Sequence, residues 1–214
     1  MSLIVKSSGG NYDPIPEDSY PAVCIGVYDI GRHYNELYEK EQQRVIISWE
    51  IIGATKIDSE TGAEKNRVHS ETYTASWNER SNLRKMLKSW RGKEFTESEL
   101  EKFDLKNVLG KPCMIQIVHT KKNDRTYSNA DSITKLPKAF GDVKAQSDTS
   151  WFDCDESPLD EIKGLPEWIQ DKIKESITYR ERIAGRKDSA DQESGNALTS
   201  EDFVELDDDG ELPF

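Results

Sequence analysis

Arg44-Val-Ile-Ile-Ser-Trp-Glu-Ile-Ile52 sets Val45, Ile47, Trp49 and Ile51 on one side of an extended chain and Arg44, Ile46, Ser48 and Glu50 on the other. Side chains alternate across a strand with a period of two, so this run predicts a strand with one apolar face. Its β-branched and aromatic content agrees. Trp49 shares the apolar face and is expected in the core. Residues 20–30 repeat the pattern, Val23, Ile25 and Val27 opposing Ala22, Cys24, Gly26 and Tyr28, with Gly26 marking a bend. Residues 68–75 read as a third strand, reached through a turn with Ser59-Glu-Thr-Gly62 at its tip. Leu3 to Val5 is a further short strand, followed by a turn-rich stretch holding Gly9, Gly10, Pro14 and Pro16.

After Ala75 the period changes. Ser76 and Glu79 match a capping box, and Leu83, Met86, Leu87 and Trp90 form one apolar helical stripe. Arg80, Arg84, Lys88 and Arg91 gather on another side, as a solvated face or a phosphate-contacting ridge. Thr96 and Glu99 cap a second, short helix. Residues 112–120 and 126–133 then read as a hairpin with the basic tip Lys121-Lys-Asn-Asp-Arg125. Three strands, one or two helices and a hairpin is the element order of an OB-fold. The fold class expected is therefore mainly β, an OB-fold-like β-barrel with one or two helices between strands three and four, a C-terminal helix and a disordered acidic tail. An SH3-like barrel or another α+β arrangement stays open.

Beyond Lys138 the β pattern stops. Residues 141–155 read as a polar linker, with Trp151-Phe152 as a patch that docks back on the domain. Pro166 opens a helix running to about Ile183, its narrow stripe formed by Ile169, Ile173 and Ile177. The expected organisation is a nucleic-acid-binding domain over 1–140, a linker and helix over 141–187, and a disordered acidic tail over 188–214.

Charge follows the same division. The net charge is -12, yet residues 1–140 hold 21 Lys and Arg against 20 Asp and Glu, whereas residues 141–214 hold 8 against 21. A near-neutral folded part leaves room for a basic face. Cys24, Cys113 and Cys154 are too scattered for a disulfide framework or a cysteine zinc site, and the first two are expected to be buried thiols. No apolar run is long enough to span a bilayer and the N-terminus lacks a secretory signal, so a reduced cytoplasmic location without membrane association is expected.

The end of the chain, Leu206-Asp-Asp-Asp-Gly-Glu-Leu-Pro-Phe214, puts apolar residues behind an acidic run at the tip of a polar tether. It resembles the C-terminal tip of bacterial and phage single-stranded DNA-binding proteins. Residues 1–140 are more generally similar to phage and prophage OB-fold proteins of that kind, beginning with Met-Ser-Leu-Ile-Val-Lys and Gly9-Gly10. The resemblance implies that Asp207, Asp208 and Asp209 form the acidic run and that Leu212, Pro213 and Phe214 dock on replication or recombination proteins. It also implies self-association and a site of action in the cytoplasm of a phage-infected or lysogenic bacterium. By the same charges, the tip is expected to compete with DNA for the basic surface.

A single-strand binder needs cations for phosphates and flat side chains for bases. Tyr28, Tyr73, Trp77 and Tyr127 supply rings, and Arg44, Arg67, Lys121, Lys122 and Arg125 supply cations. Tyr28, Tyr127, Lys121 and Arg125 are the preferred contacts, and Trp77 either stacks or staples the start of the helix. His33, His69 and His119 lack a nearby ligand or carboxylate partner in the sequence, so no enzyme, metal or cofactor is expected. The function expected is sequence-independent binding and protection of single-stranded DNA in phage replication or recombination. A non-catalytic protein-interaction adaptor and an acidic DNA mimic are the alternatives.

Overall fold

The computed structural model describes residues 13–58, 61–123 and 125–194. The strand expected at Leu3 to Val5, the Ser59-Glu60 half of the first turn, Asp124, and the tip residues Asp207, Asp208, Asp209, Leu212, Pro213 and Phe214 lie outside them. Three strands open the fold: β1 (Asp18–Asn35), β2 (Lys40–Ile57) and β3 (Glu64–Thr74). Helices α1 (Asn82–Arg91) and α2 (Glu97–Leu100) come next, then β4 (Pro112–Lys122), β5 (Arg125–Thr134) and the short β6 (Ser150–Phe152). Helices α3 (Glu167–Glu175) and α4 (Ile177–Ser194) close the described chain.

The hydrogen-bonded path runs β3-β2-β1-β4-β5, with β6 added parallel to β1 off that path. An OB-fold barrel requires the sheet to close on itself. Here β3 and β5 are the two ends of an open path, with no ladder between them among the described residues. Side chains occupy the seam instead. Ala130 N donates to Glu71 Oε1 at 3.3 Å, and Ser128 Oγ donates to Ile15 O at 3.1 Å. The OB-fold expectation, and the family resemblance of residues 1–140 that rested on it, are corrected accordingly: the fold is mixed α/β, an open six-stranded sheet with helices.

Both faces of β1 and β2 are covered. On one, Ala22, Cys24, Val27, Val45, Ile47, Trp49, Ile51 and Ile115 meet Leu83, Leu87 and Trp90 of α1, as the helical stripe predicts. On the other, Tyr28, Ile30 and Ile46 meet Phe152, Ile162, Ile169 and Ile173. Burying a second apolar face this way adds roughly 1.5–3 kcal/mol for each large side chain removed from water. Of the four register shifts among the described strand pairs, two are single-residue bulges in β1 and β5 that redirect side chains. Cys24 pairs with Trp49 and Gly26 with Ser48, leaving Ile25 as an extra residue in β1. Across β4 and β5, Gln116 pairs with Ser132 and Ile117 with Ala130, leaving Asp131 extra. Each bulge reverses the alternation beyond it.

Local chemistry explains the element ends. The capping box at Ser76 and Glu79 does not form; α1 starts later, where Ser81 Oγ accepts from Arg84 N at 3.1 Å. Ser76 and Asn78 instead accept within the preceding turn. The box at Thr96 and Glu99 is present and starts α2. The single helix expected up to Ile183 is two, because Ser176 is extended (ψ 153°) and its Oγ accepts from Tyr179 N at 3.0 Å, capping α4. Gly31 has a φ of +79°, and an added Cβ there would crowd Ser176, Cys154 and Thr178, so glycine lets α4 approach β1.

Candidate nucleic-acid interface

Strand β3 is an edge of the sheet, and two clefts follow one another along it. The first, about 740 Å³, is lined by Lys56, Ile57, Arg67, Val68, His69 and Ser70, with Ser128 of β5 and Trp168 of α3 across it. The second, about 620 Å³, continues over Glu71, Thr72, Tyr73 and Thr74 and is walled by Tyr38, Lys40 and Arg80. A strand rises about 3.3 Å per residue, so the two together track roughly 25 Å of edge.

The antiparallel order sets what stands at each end. The β2–β3 turn and the β4–β5 hairpin tip lie at the same end of the sheet, the β1–β2 turn at the other. At the hairpin tip Lys122 pairs with Arg125, Lys121 with Thr126 and Thr120 with Tyr127. Lys121, Lys122 and Arg125 are exposed and make no ion pair among the described residues. Tyr127 is 39% exposed beside them. At the far end Tyr38 is 63% exposed, with the Lys40 Nζ 5.9 Å from its ring centre.

The expected contacts therefore separate. Lys121, Lys122, Arg125 and Tyr127 come together at the tip, and Arg67 lines the adjoining cleft, its guanidinium paired with Asp13 and donating to Thr55 O at 3.0 Å. Tyr28 is only 5% exposed and belongs to the second core. Tyr73 is buried in the first core and donates to the Glu71 carboxylate. Arg44 is half-buried, opposite Thr74 on β2. Trp77 is half-buried and packs 5.4 Å from Phe103 and 6.0 Å from Phe95, centre to centre.

Trp168 is not among the contacts expected from the sequence. It is 47% exposed, one position before Ile169 and so off the buried Ile169 and Ile173 stripe. An aromatic displaced from an apolar stripe is the signal that identifies it. His69 also has a partner that sequence reasoning misses. Its Nε2 lies 3.4 Å from Glu71 Oε1, because residues two apart share a strand face. Burial alone would raise the Glu71 carboxyl, but hydrogen bonds from His69, Tyr73 and Ala130 outweigh it and hold Glu71 below the usual range.

Glu50 of β2 holds residues 146–147 against the sheet. Glu50 is buried and accepts from Asn66 Nδ2 at 2.8 Å, Gln146 N at 2.8 Å and Ser147 N at 2.9 Å. Burial opposes its ionisation, and these donors reverse that, holding it below the usual carboxylate range. Asp29, Asp153 and Asp155 bring carboxylate oxygens within 4.8 Å of one another. Burial first, and repulsion from the other two, push Asp29 up to about 6, against donation from Gly31 and Gln43. Burial likewise raises the three thiols, Cys24 to about 12 and Cys154 to about 11, so all three are neutral side chains within the cores.

Among the described residues no helix is long and apolar enough to cross a membrane. No family model matches the chain, and no curated protein is detectably similar to it.

Proposed function

We propose that this protein binds single-stranded DNA without sequence preference, in the cytoplasm, and protects it during replication or recombination. The observation that carries the reading is the run of two clefts along edge strand β3, flanked by Lys121, Lys122, Arg125 and Tyr127 at one end and by Tyr38 and Lys40 at the other. In this reading a nucleotide strand laid along the edge has cations with a ring at each end, and Lys56 with the Trp168 ring in the first cleft between them. Stacking contributes roughly 1–3 kcal/mol per base and accepts any base. Trp168, Tyr127 and Tyr38 are the rings placed to supply it. The acidic tip, with Asp207, Asp208, Asp209, Leu212, Pro213 and Phe214, recruits replication or recombination proteins in this reading.

The test is fluorescence anisotropy of a labelled oligo-dT titrated with full-length protein across a salt series. Each phosphate contact on a single strand steepens the dependence of log K on log salt by roughly 0.7. The triple variant Lys121→Glu, Lys122→Glu, Arg125→Glu is therefore expected to flatten the slope by about 2 and to weaken binding at least about tenfold at low salt. An adaptor would show no salt-dependent oligonucleotide binding in either form, and that result would end the proposal.

A further inference from the structure

Beside α1 lies a groove of about 350 Å³ that shares no lining residue with the two β3 clefts. Leu87 and Trp90 of α1, Phe95, Phe103, Val108 and Pro112 supply its apolar lining. The floor is firmly held: Phe95 and Phe103 meet edge to face at 5.1 Å, and Trp90 Nε1 donates to Pro112 O at 2.9 Å. Three cations stand around it, Arg91, Lys111 and Lys135. Arg91 is engaged by Glu99 and lies 4.7 Å from the Phe95 ring centre. Lys111 and Lys135 are exposed and make no ion pair among the described residues. An apolar slot with two uncommitted cations at its rim selects a ligand that is apolar at one point and anionic beside it.

We infer that residues 205–214 of the same molecule dock in this groove. Their sequence has the matching chemistry: Leu212, Pro213 and Phe214 for the slot, and Glu205, Asp207, Asp208, Asp209 and Glu211, without a single cation, for Lys111 and Lys135. The connection is long enough. Residues 195–214 reach up to roughly 70 Å when extended, against a radius of gyration of about 16 Å for a domain of this size. A docked tip is withheld from any protein it recruits, so partner binding has to displace it. This site is separate from the β3 edge, and the inference stands whether or not that edge binds DNA.

Amide spectra of ¹⁵N-labelled full-length protein provide the test, comparing wild type with Phe214→Ala and with a Lys111→Glu, Lys135→Glu variant. Both lysines are exposed, so the variant leaves the core intact. Relative to wild type, Phe214→Ala is expected to shift the amides of Phe95, Phe103, Asn107 and Lys111, with the difference shrinking at high salt and absent in the double-lysine background. Shifts confined to residues beyond 194 would overturn the inference. Shifts at Tyr127 and Lys121 instead would overturn it too, by moving the tip to the DNA edge. Groove shifts that grow with protein concentration, together with a dimer in light scattering, would replace the same-molecule segment by that of a second copy. The Lys121→Glu, Lys122→Glu, Arg125→Glu variant retains the groove shifts, so loss of the DNA reading leaves a different signature.

Discussion

Tyr28 and Tyr127 occupy comparable positions in comparable strands, yet one is 5% exposed and the other 39%. Each sits beyond a bulge, at Ile25 in β1 and at Asp131 in β5, and each is thereby turned away from the first core. What differs is what waits on the far side. Behind Tyr28 the chain returns through β6, α3 and α4 and builds a second core around Phe152. Nothing equivalent among the described residues covers the β4–β5 tip, whose neighbours are exposed cations. Exposure, and with it the capacity to stack on a base, is decided by the segment after residue 150 and not by alternation within the strand.

Removing that cover is the most damaging way to break the contrast. Phe152→Ala opens a cavity in the second core and is expected to lower unfolding stability by about 3–4 kcal/mol, read from the urea midpoint. Glu50→Ala orphans Asn66 Nδ2 and the amides of Gln146 and Ser147, at a cost of about 2–3 kcal/mol by the same measurement. Because folding lowers the Glu50 carboxyl, the ionised group's contribution is present above the ordinary carboxylate range and is lost as pH falls through the depressed value. Asp29 has the opposite sign. Raised to about 6, it favours the folded state below the ordinary aspartate value and loses that contribution as pH rises through about 6. Asp29→Asn is thus expected to stabilise the protein by about 1–2 kcal/mol near neutral pH and to flatten thermal melts across that window. The smallest effect on stability is at the tip. Tyr127→Ala is expected to stay within about 0.5 kcal/mol of wild type while weakening oligo-dT binding about tenfold, a split between denaturation and anisotropy that a core tyrosine would not give.

Much of the local structure is legible in the sequence. Residues 44–52 fall within β2, the Leu83, Met86, Leu87 and Trp90 stripe is the buried face of α1, and the basic hairpin tip forms where the turn residues put it. Closure is not legible, since element order says nothing about whether β3 and β5 pair. Their seam is filled by Glu71 and Ile15, one residue per strand or strap, which leaves no periodic trace. Bulges are equally silent, because one extra residue reverses a face without altering composition. Alternation alone consequently puts Tyr28 at the surface, where the fold does not. The β3 edge is likewise assembled from parts far apart in the chain, Lys56, Arg67 and Ser128 with Trp168, and only folding brings them to one cleft.

Photo-cross-linking of an oligo-dT carrying 5-iododeoxyuridine to the full-length protein, with the linked peptides identified by mass spectrometry, tests the placement of the interface most directly. Adducts are expected on Tyr127 and Trp168, with Tyr38 at the far end of the groove and none on Tyr28 or Tyr73. Adducts confined to Trp77 or to α1, or no adduct under conditions where anisotropy reports binding, would contradict the β3-edge interface.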